Sequence, residues 1–196
     1  MESGLSPASV RYAYRVFARS LGDAVRDKRI ASNPAEGLKL PRSAPKDKIF
    51  LSHNQVEALA QACGDLATQV RLLAYTGVRW GEAAGLRVRR VDLSRRRVVI
   101  AETASEHSGA VTFGTPKSHQ RRQVPVPAFL VDELGDQIRG KQPGDLVFTA
   151  RSGGPLRNGN FRRDVYDRAA ASVGLTGLRI HDLRHTAASL AVAAGA

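Results

Sequence analysis

Cysteine is nearly missing from this chain of 196 residues: Cys63 stands alone. That excludes an internal disulfide framework and a cysteine zinc site. Cys63 closes the stretch Val56-Glu57-Ala58-Leu59-Ala60-Gln61-Ala62-Cys63, where a small buried hydrophobe is the simple reading. No apolar run approaches the ~20 residues a membrane helix needs. The first residues lack the basic-then-apolar pattern of a secretory leader. Internal repeats and low-complexity tracts are absent too. These absences predict a soluble chain in a reducing, cytoplasmic compartment with no membrane partner. Acidic residues are scarce, 18 Asp and Glu against 30 Lys and Arg, for a formal net charge of +12. An excess that large points to a polyanionic partner, nucleic acid first.

What is present supports a folded body. Hydrophobic residues make up 42% and charged residues 24%, enough for a core and against wholesale disorder. The length suits one domain, or one domain with part of another. Ser6-Pro7 reads as a helix cap with proline at the first helical position. Val10, Tyr14, Phe17 and Leu21 then recur at helical spacing, with Arg11, Arg15 and Arg19 among the remaining positions. Asn33-Pro34 is expected to end this element. A single helix or helix pair cannot bury that apolar face alone. Residues 39–48 carry two prolines and four cations and read as a linker. Ser52 and Gln55 have capping-box spacing, with Leu51 and Val56 as a staple, so a second domain is expected from about residue 49.

Further helices are predicted over Leu66–Tyr75, ended by Gly77, and over Glu82–Leu86, Phe129–Ile138, Phe161–Val173 and His181–Ala194. Strands are predicted over Arg96–Ile100, Val111–Phe113 and Arg122–Val126, the last two bracketing a turn around Lys117. The fold class is therefore mainly α with a small antiparallel β-sheet, an α+β domain.

Three motifs carry chemistry. Thr76-Gly77-Val78-Arg79-Trp80-Gly81-Glu82 places Arg79 where a glycine-terminated helix gives way to the next, with Glu82 on the same face to fix it. His181-Asp182-Leu183-Arg184-His185 puts His181 and Arg184 on one helix face. A guanidinium forks onto two phosphate oxygens and an imidazole adds a donor. His181 and His185 are spaced as a zinc pair, but Asp182 stands where a zincin needs glutamate, and no third ligand is apparent, so no metal is expected. His185 reads as a buried, hydrogen-bonded histidine. Lys117, between the other two motifs, is the only lysine between Lys48 and Lys141. Arginine holds its proton too tightly to act as an acid, whereas lysine can release one, so Lys117 fits a general acid on a hairpin.

In order along the chain, Thr-Gly-x-Arg-x-x-Glu at 76–82, Pro-Lys-Ser…Arg…Val-Pro at 116–125 and Gly-Leu-Arg leading into His-Asp-Leu-Arg-His-Thr at 177–186 resemble the tyrosine recombinase family, the phage-type integrases. The resemblance implies a catalytic domain over 49–196 and, over 1–38, the last helical part of a core-binding domain. It implies that Arg79 and Arg184 grip a scissile phosphate, His181 assists, Lys117 protonates the leaving 5′ oxygen and Glu82 supports Arg79. DNA contacts are expected from Arg11, Arg15, Arg19 and Arg121. The family's nucleophilic tyrosine follows His-x-x-Arg, whereas Tyr12, Tyr14, Tyr75 and Tyr166 all precede Arg184. The expectation is thus a site-specific recombinase truncated before its nucleophile and itself inactive, without cofactor. Its partners would be double-stranded DNA attachment sites, in a homotetramer on DNA for the full-length protein and as a monomer for this part alone. A type IB topoisomerase-like enzyme and a non-catalytic DNA-binding module are the alternatives.

Overall fold

The computed structural model describes residues 4–42, 48–115 and 120–195. The chain divides into two compact units, Met1–Asp47 and Lys48–Ala196. In the first, helix α1 (Pro7–Arg26) starts where the sequence predicts, with the Ser6 side chain accepting from the Ser9 amide at 3.1 Å. It stops well before Asn33-Pro34, because Lys28 takes a left-handed turn at φ 58°. Asn33 ends nothing; it folds the chain back instead. Its amide donates to the Ala18 carbonyl at 2.9 Å and accepts from the Ala35 amide at 3.0 Å. The Tyr14 hydroxyl donates to the Ala35 carbonyl at 2.6 Å, and Ala35 is buried.

The second unit opens with both capping-box bonds between Ser52 and Gln55, at 2.9 and 3.3 Å. Helix α2 (His53–Ala62) follows, then a single 3-10 turn and α3 (Ala67–Thr76), which Gly77 closes at φ 63°. Helix α4 (Trp80–Ala84) is short. Five strands come next: β1 (Val91–Asp92), β2 (Arg97–Ile100), β3 (Thr103–His107), β4 (Ala110–Gly114) and β5 (Arg122–Pro125). They form two antiparallel sheets, β1-β2-β5 and β3-β4. In the first, Val98 lies opposite Val124, and both face the core with Ile100, the period-two pattern of a half-buried strand.

The expected hairpin of β4 and β5 does not form. β4 pairs back onto β3 through Ser108-Gly109, while β5 crosses to β2. β4 and β5 therefore lie in different sheets. Lys117 itself lies outside the described residues.

Helix α5 (Val131–Ile138) and helix α6 (Asn158–Phe161) follow; α6 runs through a π-turn at Arg162–Tyr166 into α7 (Asp167–Ser172), and α8 (Ile180–Ala193) closes the unit. Helix α8 lies along α3, and its Thr186 hydroxyl, fully buried, accepts from the Leu51 amide at 3.1 Å. That bond ties the start of the unit to the helix that carries His181 and Arg184.

Candidate phosphate-binding site

Arg79 owes its position to Gly77. A side chain at Gly77 would meet the Ala187 Cβ at 3.3 Å, so glycine lets the α3–α4 corner press onto α8. The same corner turns at φ 63°, which L-residues rarely adopt. Arg79 then caps α4 in an extended conformation. Glu82, one turn on, reaches back to the Arg79 amide at 2.8 Å and to its guanidinium at 3.0 Å.

Glu82 is 2% exposed, a burial that a lone carboxylate would not tolerate. A residue the sequence motifs do not single out resolves this. Arg122 forks onto both Glu82 oxygens, at 2.9 and 2.6 Å. Burial alone would push the Glu82 carboxyl up, but the hydrogen bonds from Arg122 and Arg79 outweigh it and hold it below the ordinary carboxylate range. The signal for Arg122 was present in the strand alternation. Val124 faces the core, so Arg122, two residues earlier, shares its inward face, while the neighbouring Arg121 is exposed.

Arg184 approaches from α8 and donates through Nη1 to the Gly77 carbonyl. Burial, and then the Arg79 guanidinium, hold its own pKa below the usual arginine value, with Glu82 opposing. His181 is exposed, and its ring stands edge-on to His185 with centroids 5.0 Å apart. His185 is half-buried instead of buried, and its other neighbour is the Phe50 ring at 6.5 Å. Arg79, His181 and Arg184 line one cleft of about 280 Å³, with Val78, Trp80 and Ile180 as its apolar parts. Among the described residues no group of three or more His, Cys, Asp or Glu comes together as a metal site.

A family model described as the phage integrase family matches residues 49–196. The chain belongs to the phage integrase family. The integrase of Mycobacterium phage D29 is 28% identical over 201 residues, covering 97% of this chain and 53% of that relative. The tyrosine recombinase XerC of Halalkalibacterium halodurans is 30% identical over 187 residues, covering 84% of this chain and 56% of that protein. The chain thus spans about half the length of the curated relatives it matches. Among solved structures, the Tn1549 transposon integrase in complex with a circular intermediate DNA superposes with a TM-score of 0.84, covering 98% of this chain and 69% of that one at 18% identity. A lambda integrase dimer bound to a core site gives 0.67, at 18% identity, over 94% of this chain and 66% of that one. The fold is the one they share, mainly helical with small antiparallel sheets.

The remaining predicted residues fall elsewhere. Arg11, Arg15 and Arg19 are exposed on α1, four residues apart and so on one face. Arg11 donates to the Pro41 carbonyl at 3.3 Å. None of the four tyrosines lines the cleft. Tyr75 packs edge-on against Phe129, bonds Glu57 at 3.3 Å, and is pushed up to about 12 by burial and by Glu57. Tyr166 is fully buried under the Arg179 carbonyl, and burial pushes its phenol up as well. No helix described is long and apolar enough to cross a membrane.

Proposed function

We propose that this chain holds the scissile phosphate of a site-specific DNA recombinase. Arg79 and Arg184 grip the phosphate, His181 adds a donor, Glu82 positions Arg79, and Lys117 supplies the proton to the leaving 5′ oxygen. The attacking tyrosine is none of the four in these 196 residues. The observation that carries the reading is the convergence of Arg79, His181 and Arg184 on one cleft from α4 and α8.

The electrostatics favour the reaction over mere binding. Three guanidinium groups, Arg79, Arg122 and Arg184, surround the single carboxylate of Glu82, so the seat is cationic before anything enters it. A phosphodiester carries one negative charge, and more develops on its oxygens as the attacking oxygen bonds to phosphorus. Fixed cations therefore gain more in the transition state than in the ground state. Arg122 and Glu82 keep Arg79 from reorganising as that charge grows.

The double-stranded partner would be an attachment site, contacted through phosphates by the seat and by Arg11, Arg15, Arg19 and Arg121. The helical unit at 1–38 would serve as the last part of a core-binding domain. The whole protein would work in the cytoplasm as a homotetramer on DNA, and this chain alone would be a monomer. The packed positions of Tyr75 and Tyr166 favour a second reading, in which these residues bind DNA without cutting it.

Titrating a labelled duplex at 50 and 200 mM salt tests the binding. With six to ten phosphates neutralised, affinity should drop by about 10³–10⁵ between those concentrations. Salt-independent binding would contradict the reading. Denaturing electrophoresis after incubation with a nicked duplex tests both readings at once: both predict no covalent adduct, and an adduct that needs one of the four tyrosines would overturn both.

A further inference from the structure

The cleft has a second basic wall that the reading above leaves unused. Asn158, Arg162 and Arg179 line the same space as Arg79 and Arg184. Arg179 is built as Arg79 is. It stands at the cap of α8, and Asp182, three residues on, accepts from its amide at 2.9 Å. The Asp182 oxygens also take the Arg179 Nε at 3.0 Å and Nη2 at 2.7 Å. Asp182 is as buried as Glu82. The fold therefore presents the same device twice, a capping arginine locked by a buried acid one turn later, with both arginines facing one cleft.

A guanidinium locked through one edge still offers its other edge to a ligand. Arg162 adds a freer cation opposite. It opens the π-turn, a local break in helical register that is frequent at functional sites. Its pair with Asp167 is 3.3 Å long and half-exposed on both sides, the kind of contact worth little and easily exchanged for a stronger anion. A cavity of about 280 Å³ also exceeds what one phosphate group fills, many times the space a single water needs.

We propose that Arg162, Arg179 and Asn158 form a second phosphate seat beside the Arg79–Arg184 seat, so that the cleft takes two neighbouring phosphates of one DNA strand. This rests on the proposal that the cleft binds DNA. It assigns Arg179 and Arg162 to the phosphate next to the scissile one, which fixes the strand's direction through the cleft as well as its position. Asn158 contributes an uncharged donor.

The salt dependence of duplex binding tests it, because each lost phosphate contact lowers the slope of log affinity against log salt by about 0.9. R162Q disturbs only a surface pair, so its melting temperature should match the native chain. Its slope should fall by about 0.9, and the double variant R79Q/R162Q should fall by about 1.8, one phosphate for each seat. R151Q, which lines a different pocket and pairs with Asp65, should keep the native slope. A double variant that loses no more than R79Q alone would show that both arginines share one phosphate, and the second seat would be wrong. An unchanged R162Q slope, or an equal loss in R151Q, would overturn it too. If the native chain itself shows no salt-dependent DNA binding, the proposed function fails as well, which separates the two failures.

Discussion

Glu82 is the residue on which the candidate site turns. It is a buried carboxylate held by Arg122 through both oxygens and by Arg79 through its amide and its guanidinium, and the last of these contacts fixes the guanidinium that faces the cleft. Removing one partner of a buried pair leaves an uncompensated charge, at about 3–5 kcal/mol. Because Arg79 remains, R122A should sit near the lower end, about 3 kcal/mol in a denaturant titration. A loss under about 0.5 kcal/mol, the size of an ordinary surface change, would contradict the role given to Arg122.

Acid should act on the same residue. Burial raises Glu82 and Asp182, but hydrogen bonds from Arg122 and Arg79 in one case, and from Arg179 in the other, bring both below the ordinary range. A carboxylate lowered in the folded state contributes stability above its unfolded pKa, and that contribution is lost as pH falls through its folded pKa. The melting temperature should therefore hold from neutral pH to about 5 and decline once pH drops below roughly 4. E82Q, which cannot titrate, should show a shallower acid decline than the native chain. An identical decline would place the acid sensitivity elsewhere.

At the scale of elements, the close approach of α4 to the β3–β4 hairpin decides where the first arginine sits. A Cβ at Gly81 would lie 2.6 Å from the Ala104 carbonyl and from the Thr103 hydroxyl, and one at Gly85 would lie 3.0 Å from the Ala104 amide. Backbone cannot retreat cheaply, so G81A should push the hairpin away and cost about 1–3 kcal/mol. A melting temperature equal to that of the native chain would show the contact to be loose.

The elements also show how much of this was legible in the sequence. Helix starts were, because Ser6-Pro7 and Ser52-x-x-Gln55 are local chemistry that needs no tertiary partner. The corner at Gly77 was legible for the same reason. Strand β3 was not: Thr103-Ala104-Ser105-Glu106-His107 has no apolar alternation, and only its pairing with β4 makes it a strand. That pairing also took β4 away from β5, a choice between partners that local patterns do not encode. The end of α1 was misplaced because Asn33 makes side-chain bonds back to the helix instead of ending it. Within the site, spacing put His181 and Arg184 on one helix face, while their meeting with Arg79 was implied by the family resemblance. Arg122 left only the faint signal of sharing the inward strand face of Val124, and the second locked arginine, Arg179, was visible only once the folded chain brought it to the cleft.

For the whole molecule, the deciding property is charge. A net charge of +12 supplies long-range attraction to a polyanion. Part of the cationic surface is paired locally, as where Arg87 and Arg89 share Glu102 at 2.8 and 3.2 Å. In the cleft Arg79 and Arg184 stand close enough for one to lower the other's pKa, and so it should hold the phosphate most firmly. A crystal structure of this chain with a duplex tests that claim most directly. One backbone phosphate should lie between the Arg79 and Arg184 guanidinium groups, within about 3 Å of both, the distance of a charge-assisted hydrogen bond. A duplex bound elsewhere on the surface, with both guanidinium groups facing solvent, would contradict it.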